Sequence, residues 1–239
     1  MRTSLSLLSA SILSALTLST ASNAAFANDI VISGVIDGPL SGGVPKAVEL
    51  YVINDVADLS EYGIGSANNG GGSDGEEFTF PAQSASAGTY LYIASEVEGF
   101  TNFFGMAPDF DDSAMGINGD DAVELFKDGT VIDTFGDINV DGNGTAWEYL
   151  DGWAYRSNGQ TANAGTFNDE NWSFSGVDAL DGANTNAEAS TPFPLGTFTT
   201  EGGGDVEVPP EEPPVALGVC GDDATLISTI QGTEAASAE

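Results

Sequence analysis

Apolar residues along this chain fall in short runs, each bounded by clusters of Gly, Asn, Asp and Ser. That rhythm predicts an all-β domain with frequent turns. Asp29 to Ile36 (DIVISGVI) reads as a first strand and Lys46 to Ile53 (KAVELYVI) as a second. In the second, Val48, Leu50 and Val52 fall on one face and Ala47, Tyr51 and Ile53 on the other, following the two-residue period of a strand. Ser66 to Gly75 (SANNGGGSDG) predicts a loop, and Glu77 to Phe80 and Thr89 to Ala94 predict further strands. Gly99 to Met106 predicts a short helical turn under a loop.

The clearest hairpin joins Asp121–Lys127 to Thr130–Phe135 through Asp128-Gly129, a pair suited to a type I′ turn with positive φ at both central residues. A two-residue turn pairs Lys127 with Thr130, Phe126 with Val131, and Leu125 with Ile132. It also sets Glu124 opposite Asp133, and like charges directly opposed are unfavourable. Either the register differs, or water or a cation separates the two acids. Downstream, Trp147/Tyr149 and Trp153/Tyr155 are each spaced by two, so each pair is expected to share a strand face. Such aromatics read first as the core of a sandwich. A stacking platform for sugars or bases is the functional alternative.

Charge narrows the picture sharply. The 239 residues carry a formal net charge of -33, with 37 acids against four basic residues. Such a surface keeps a secreted protein soluble and repels phosphate backbones, so direct nucleic-acid binding is not expected without a bridging cation. The chain has no histidine. That removes histidine-based serine and cysteine triads, histidine-bearing zinc sites and a histidine general base. Paired carboxylates stay chemically available.

The termini speak to compartment and organisation. Arg2, the apolar Leu5–Leu18 stretch and Ala25-Phe26-Ala27 read as a signal peptide over residues 1–27, with cleavage after Ala24 as the alternative. The protein is therefore expected to be secreted, passing through the periplasm, without a membrane span. The body is expected over residues 28–198. Residues 199–219, including EGGGDVEVPPEEPPVALGV, read as an acidic Gly/Pro linker, and residues 220–239 as the opening of a further segment. Cys220, the only cysteine, falls in that last segment.

One stretch carries a candidate ligand pattern. Asp137 to Glu148 (DINVDGNGTAWE) fits the spacing of a calcium loop, with Asp137, Asn139, Asp141 and Asn143 at alternating positions, Gly142 for the sharp turn and Glu148 at the closing position. The flanks read as strands rather than helices, and Gly144 stands where such loops carry an aliphatic residue. The alternative is an ordinary turn rich in Asx residues. Asp109-Phe110-Asp111-Asp112 and Asn118-Gly119-Asp120-Asp121 are further acidic loops.

Five segments together resemble the bacterial lamin-tail domain. They are ISG at Ile32–Gly34, KAVELY at Lys46–Tyr51, GDDAVELFKDGTVIDTFG at Gly119–Gly136, GTAWEYLDGWAYR at Gly144–Arg156 and FNDENWSFSGVDALDG at Phe167–Gly182. The resemblance implies an all-β, immunoglobulin-like β-sandwich with a disordered C-terminal tail. The last two motifs resemble the N-terminal region of large secreted nucleases of the endonuclease/exonuclease/phosphatase superfamily. There a lamin-tail domain precedes an OB-like segment and then the catalytic domain. ATLISTIQG at Ala224–Gly232 is similar to the start of that OB-like segment.

The resemblance implies no catalytic residue in this chain, because the family's metal-dependent chemistry lies in the downstream domain. The expectation is a monomeric, non-catalytic accessory module of a secreted nuclease, truncated before its catalytic domain, with the downstream nuclease domains as its partners. The alternative is a stand-alone calcium-dependent binding or adhesion module. A carboxylate-based glycosidase is a third class, without a motif of its own.

Overall fold

The computed structural model describes residues 29–201, which fall within the first of two units of the chain, Met1–Gly203 and Gly204–Glu239. The expected signal peptide, most of the acidic linker, Cys220 and the segment after it lie outside the described residues. Ten strands and one helix follow in order: β1 (Ile30–Leu40), β2 (Val44–Val52), β3 (Tyr62–Ala67), β4 (Phe78–Thr79), β5 (Tyr90–Ala94), α1 (Val97–Phe104), β6 (Phe110–Asp111), β7 (Ala122–Lys127), β8 (Thr130–Phe135), β9 (Gly152–Arg156) and β10 (Trp172–Phe174). They form a six-stranded sheet, β10-β9-β1-β2-β5-β6, and a four-stranded sheet, β4-β3-β7-β8. The described residues form a mostly-β unit of two sheets, as the short apolar runs predict.

Strand β1 is the hub, because it is buried on both faces. Ile30, Ile32 and Val35 join the core that also holds Ile64, Leu125 and Phe135 of the four-stranded sheet, whereas Val31 and Ile36 join a second core. The spacing of three from Ile32 to Val35 is a bulge: Ile32 pairs with Leu50 and Gly34 with Glu49, leaving Ser33 as the extra residue. Strand β2 divides its faces as expected, with Val48, Leu50 and Val52 in the first core and Ala47 in the second.

The second core shows that the sheet's other face is not left to solvent. Helix α1, which begins and ends two residues before the expected helical turn, places Phe100 and Phe103 on it, and the stretch from Leu180 to Phe198 adds Leu180, Phe193 and Phe198. Gly105, at φ 74, ends the helix in the left-handed conformation that glycine adopts freely.

The β7–β8 hairpin corrects one expectation. Asp128 and Gly129 have φ of 48 and 70, as a type I′ turn requires, and Lys127 and Phe126 pair with Thr130 and Val131. A bulge then shifts the register, so Leu125 pairs with Asp133 and Glu124 with Thr134. The opposition of Glu124 and Asp133 is thereby avoided, and Asp133 turns inward. The aromatic pairs are corrected in part: Trp153 and Tyr155 share a face of β9, but Trp147 sits on a turn and Tyr149 in irregular chain rather than on a strand. All four are buried, and Phe135 gathers Trp147, Tyr149, Phe167 and Trp172 at ring separations of 4.8 to 6.0 Å.

The inward Asp133 meets Arg156 at 2.5 Å, both essentially inaccessible. Asp133 Oδ2 also accepts from the Ile32 amide at 2.8 Å and Oδ1 from the Asn163 amide at 3.0 Å. Arg156 donates to the carbonyls of Ile32 at 2.6 Å and Thr161 at 2.9 Å, and its guanidinium lies 4.6 Å from the Trp172 ring. One ion pair thus joins β8 of one sheet to β1 and β9 of the other. Asp133→Ala or Arg156→Ala leaves the partner charge buried and is expected to cost about 3–5 kcal/mol in urea denaturation. A loss below about 1 kcal/mol for either, the value of a surface pair, contradicts this assignment.

Candidate functional site

Within the segment from Gly119 to Gly182, backbone amides donate to several of the acids. Asp137 Oδ1 accepts from the Asn139 amide at 3.0 Å, Asp141 Oδ1 from the Asn143 amide at 2.9 Å, and Glu148 Oε2 from the Gly144 amide at 2.7 Å. The first two are turns closed by an Asx side chain.

The loop's two ends face different spaces. Asp137 and Asn139 line an open cleft of about 460 Å³ together with Thr134, Trp147, Phe167 and Asp169. Asn143 and Glu148 line a smaller one of about 250 Å³ with Asn69, Asn118 and Asp120. Asp141 lies near Asp120; burial first, then the charges of Asp121 and Asp141, push Asp120 above the usual carboxylate range. Asp137 and Asn139 thus line one cleft, and Asn143 and Glu148 another, whose lining includes the Asp120 that neighbours Asp141.

Among the described residues, the acids whose oxygens lie within 4.8 Å of one another are Asp151, Asp178 and Asp181. Burial first, then Asp37, Asp181 and Asp178, hold Asp151 above its ordinary range. Asp178 and Asp181 are exposed, and exposed acids gather in this way without an ion.

The buried acids are better explained as brackets. Asp37 pairs with Lys46 at 2.5 Å and accepts from the Gly119 amide at 2.9 Å. A side chain at Gly119 would strike the Leu150 backbone, so glycine there lets the two loops close. Asp121 accepts from the amides of Asn69 and Asn118 at 2.8 and 2.7 Å. Glu49 accepts from the Ser33 and Tyr155 hydroxyls, both at 2.7 Å, and from the Gly196 amide at 2.7 Å. The Tyr155 hydroxyl in turn accepts from the amides of Thr197 and Phe198 at 3.0 and 2.9 Å. Glu49 and Tyr155 together fasten the C-terminal stretch over the second core.

Two residues missed in the sequence differ from these. Glu124 and Thr134, cross-strand partners on β7 and β8, are 3% and 2% exposed, yet Glu124 Oε2 and Thr134 Oγ1 have no hydrogen-bond partner. The clash foreseen between Glu124 and Asp133 was the signal that this rung of the ladder is unusual; the bulge that moves the problem to Thr134 has no signature in the sequence. Glu96 Oε1 is likewise unpartnered, beside the N-terminus of α1.

Comparison with protein-family models, with curated proteins and with solved structures gave no match. No helix among the described residues is long and apolar enough to cross a membrane.

Burial is the largest influence on Glu49 and holds its pKa above the ordinary value. The folded state therefore retains this proton to higher pH than the unfolded chain does, and folding takes up a proton between the two pKa values. The Glu49 contribution to stability is expected to fall as pH rises through that window, from about pH 4.3 upward. Glu49→Gln, measured by urea denaturation across that window, is expected to flatten the pH dependence; an unchanged slope contradicts the assignment.

Proposed function

We propose that this chain is a lamin-tail-type, immunoglobulin-like β-sandwich that serves as the non-catalytic interaction module of a secreted nuclease. The observation that carries the reading is where the resembling motifs fall. KAVELY is the heart of β2 and supplies Lys46 and Glu49, which engage Asp37 and Tyr155. GDDAVELFKDGTVIDTFG is the β7–β8 hairpin with Asp121 and Asp133 inside it. GTAWEYLDGWAYR ends in β9 with Tyr155 and Arg156, and the DENW of the last motif brings Trp172 against Arg156. The motifs thus coincide with the brackets that build the sandwich, which is what a scaffold signature requires.

Chemistry points the same way. Asp37, Glu49 and Asp133, whose pKa values burial raises, are each held by partners that fix loops or sheets. Fold alone does not assign function, so the nuclease context rests on the motif resemblance. The acidic surface favours contact with a protein or a bridging cation over contact with DNA.

The purified chain is expected to leave plasmid DNA intact in Mg²⁺, Mn²⁺ or Ca²⁺. In calorimetry it is expected to bind the isolated catalytic domain of a secreted nuclease of that superfamily. DNA cleavage that co-purifies with the chain overturns the non-catalytic reading, and absence of binding heat with the catalytic domain overturns the partner.

A further inference from the structure

The scarcity of positive charge sets up the problem. The described residues contain three basic side chains, Lys46, Lys127 and Arg156, and they pair with Asp37, with Asp29 and Glu61, and with Asp133. Buried Asp121 and Glu49 are satisfied by amides and hydroxyls instead. Glu124 has neither kind of partner at Oε2, although it is 3% exposed. A carboxylate removed from water without a counter-charge or donors is strongly unfavourable.

Its strand partners on both sides stand beside oxygen atoms. Thr134, opposite it on β8, carries the second unpartnered atom, Oγ1. On the other side Glu124 pairs with Gly65 of β3. The space a side chain at Gly65 would fill is taken by the carbonyl oxygen of Gly75, with the Glu77 side chain 3.5 Å from the same point. Cross-strand partners present their side chains to the same face, so these groups gather over one patch of β3-β7-β8. Glu77 Oε2 is occupied by the Ser66 amide at 2.7 Å and hydroxyl at 3.0 Å.

We propose that this patch is a calcium site in which Glu124 Oε2, Thr134 Oγ1 and the Gly75 carbonyl oxygen bind one Ca²⁺. Carboxylate, hydroxyl and carbonyl oxygens suit a hard cation. A glycine-rich covering segment (Gly70 to Gly75) suits the adaptable coordination of Ca²⁺ more than the strict octahedron of Mg²⁺. Thr134 also lines the 460 Å³ cleft. The ion neutralises Glu124 and ties the 70–77 segment to the outer face of the four-stranded sheet. This inference does not depend on the nuclease reading.

The test is thermal unfolding of the chelator-treated protein with and without CaCl₂, beside Glu124→Gln and Thr134→Val. Calcium at millimolar concentration, the range of extracellular sites with dissociation constants of about 10⁻⁴–10⁻³ M, is expected to raise the wild-type Tm by several degrees, and MgCl₂ by less. Glu124→Gln is expected to abolish the shift, and Thr134→Val to weaken it while folding normally without calcium. Asp151→Asn and Asp137→Asn are expected to keep it. A shift that survives in Thr134→Val and Glu124→Gln but disappears in Asp151→Asn or Asp137→Asn places the ion elsewhere and overturns the proposal. No shift in the wild type overturns it as well, and leaves bridging water as the occupant of the patch.

Discussion

The contact between Asp133 and Arg156 is the constraint on which the rest of the sandwich depends. Each charge alone would be untenable where it sits, since both side chains are all but inaccessible. Together they pass hydrogen bonds to both backbone groups of Ile32 in the central strand, and to Thr161 and Asn163 in the loop that follows β9. Asn163 then bonds both backbone groups of Thr134, at 3.0 and 2.6 Å, which fixes that loop along the edge of the four-stranded sheet. Apolar packing drives the two sheets together without specifying how they meet. The ion pair supplies direction, because its geometry is met at one relative placement of β1, β8 and β9.

The same logic recurs wherever a loop must be held. The chain has few cations, and the buried or half-buried ones are placed against acids at joints: Lys46 against Asp37, Arg156 against Asp133. Elsewhere carboxylates take backbone amides as donors, as Asp121, Asp137 and Asp141 do. A large negative charge is thus partly turned into structure. Glu124 is where that economy of donors runs out among the buried acids, since its Oε2 has no hydrogen-bond partner.

Much of this was legible in the chain and some was not. The two-residue period of KAVELYVI identified both faces of β2, because this strand alternates between the two cores with no extra residue from Ala47 to Val52. The Asp-Gly turn of the hairpin was equally plain, since few residue pairs accept positive φ twice. The bulges at Ser33 and in β8 were hidden, as an extra residue changes the parity of a strand without changing its composition. Strands β6 and β10 are too short to produce a pattern. The layer over the outer face of the six-stranded sheet was missed because residues 180–198 have no regular period; their hold on the sheet comes from Glu49 and Tyr155. At the candidate site, the alternating oxygens from Asp137 to Glu148 are plain in the sequence. Spacing did not reveal that backbone amides and Asp120 would take up several of them.

Native-state hydrogen exchange at the amides of Ile32 and Asn163 tests the central claim most directly, because both donate to Asp133. If the ion pair governs the joining of the sheets, these two amides exchange only through global unfolding, with the same opening free energy as the whole domain. Exchange of either by a local opening well below that value, with the rest of the sandwich still protected, would contradict the account.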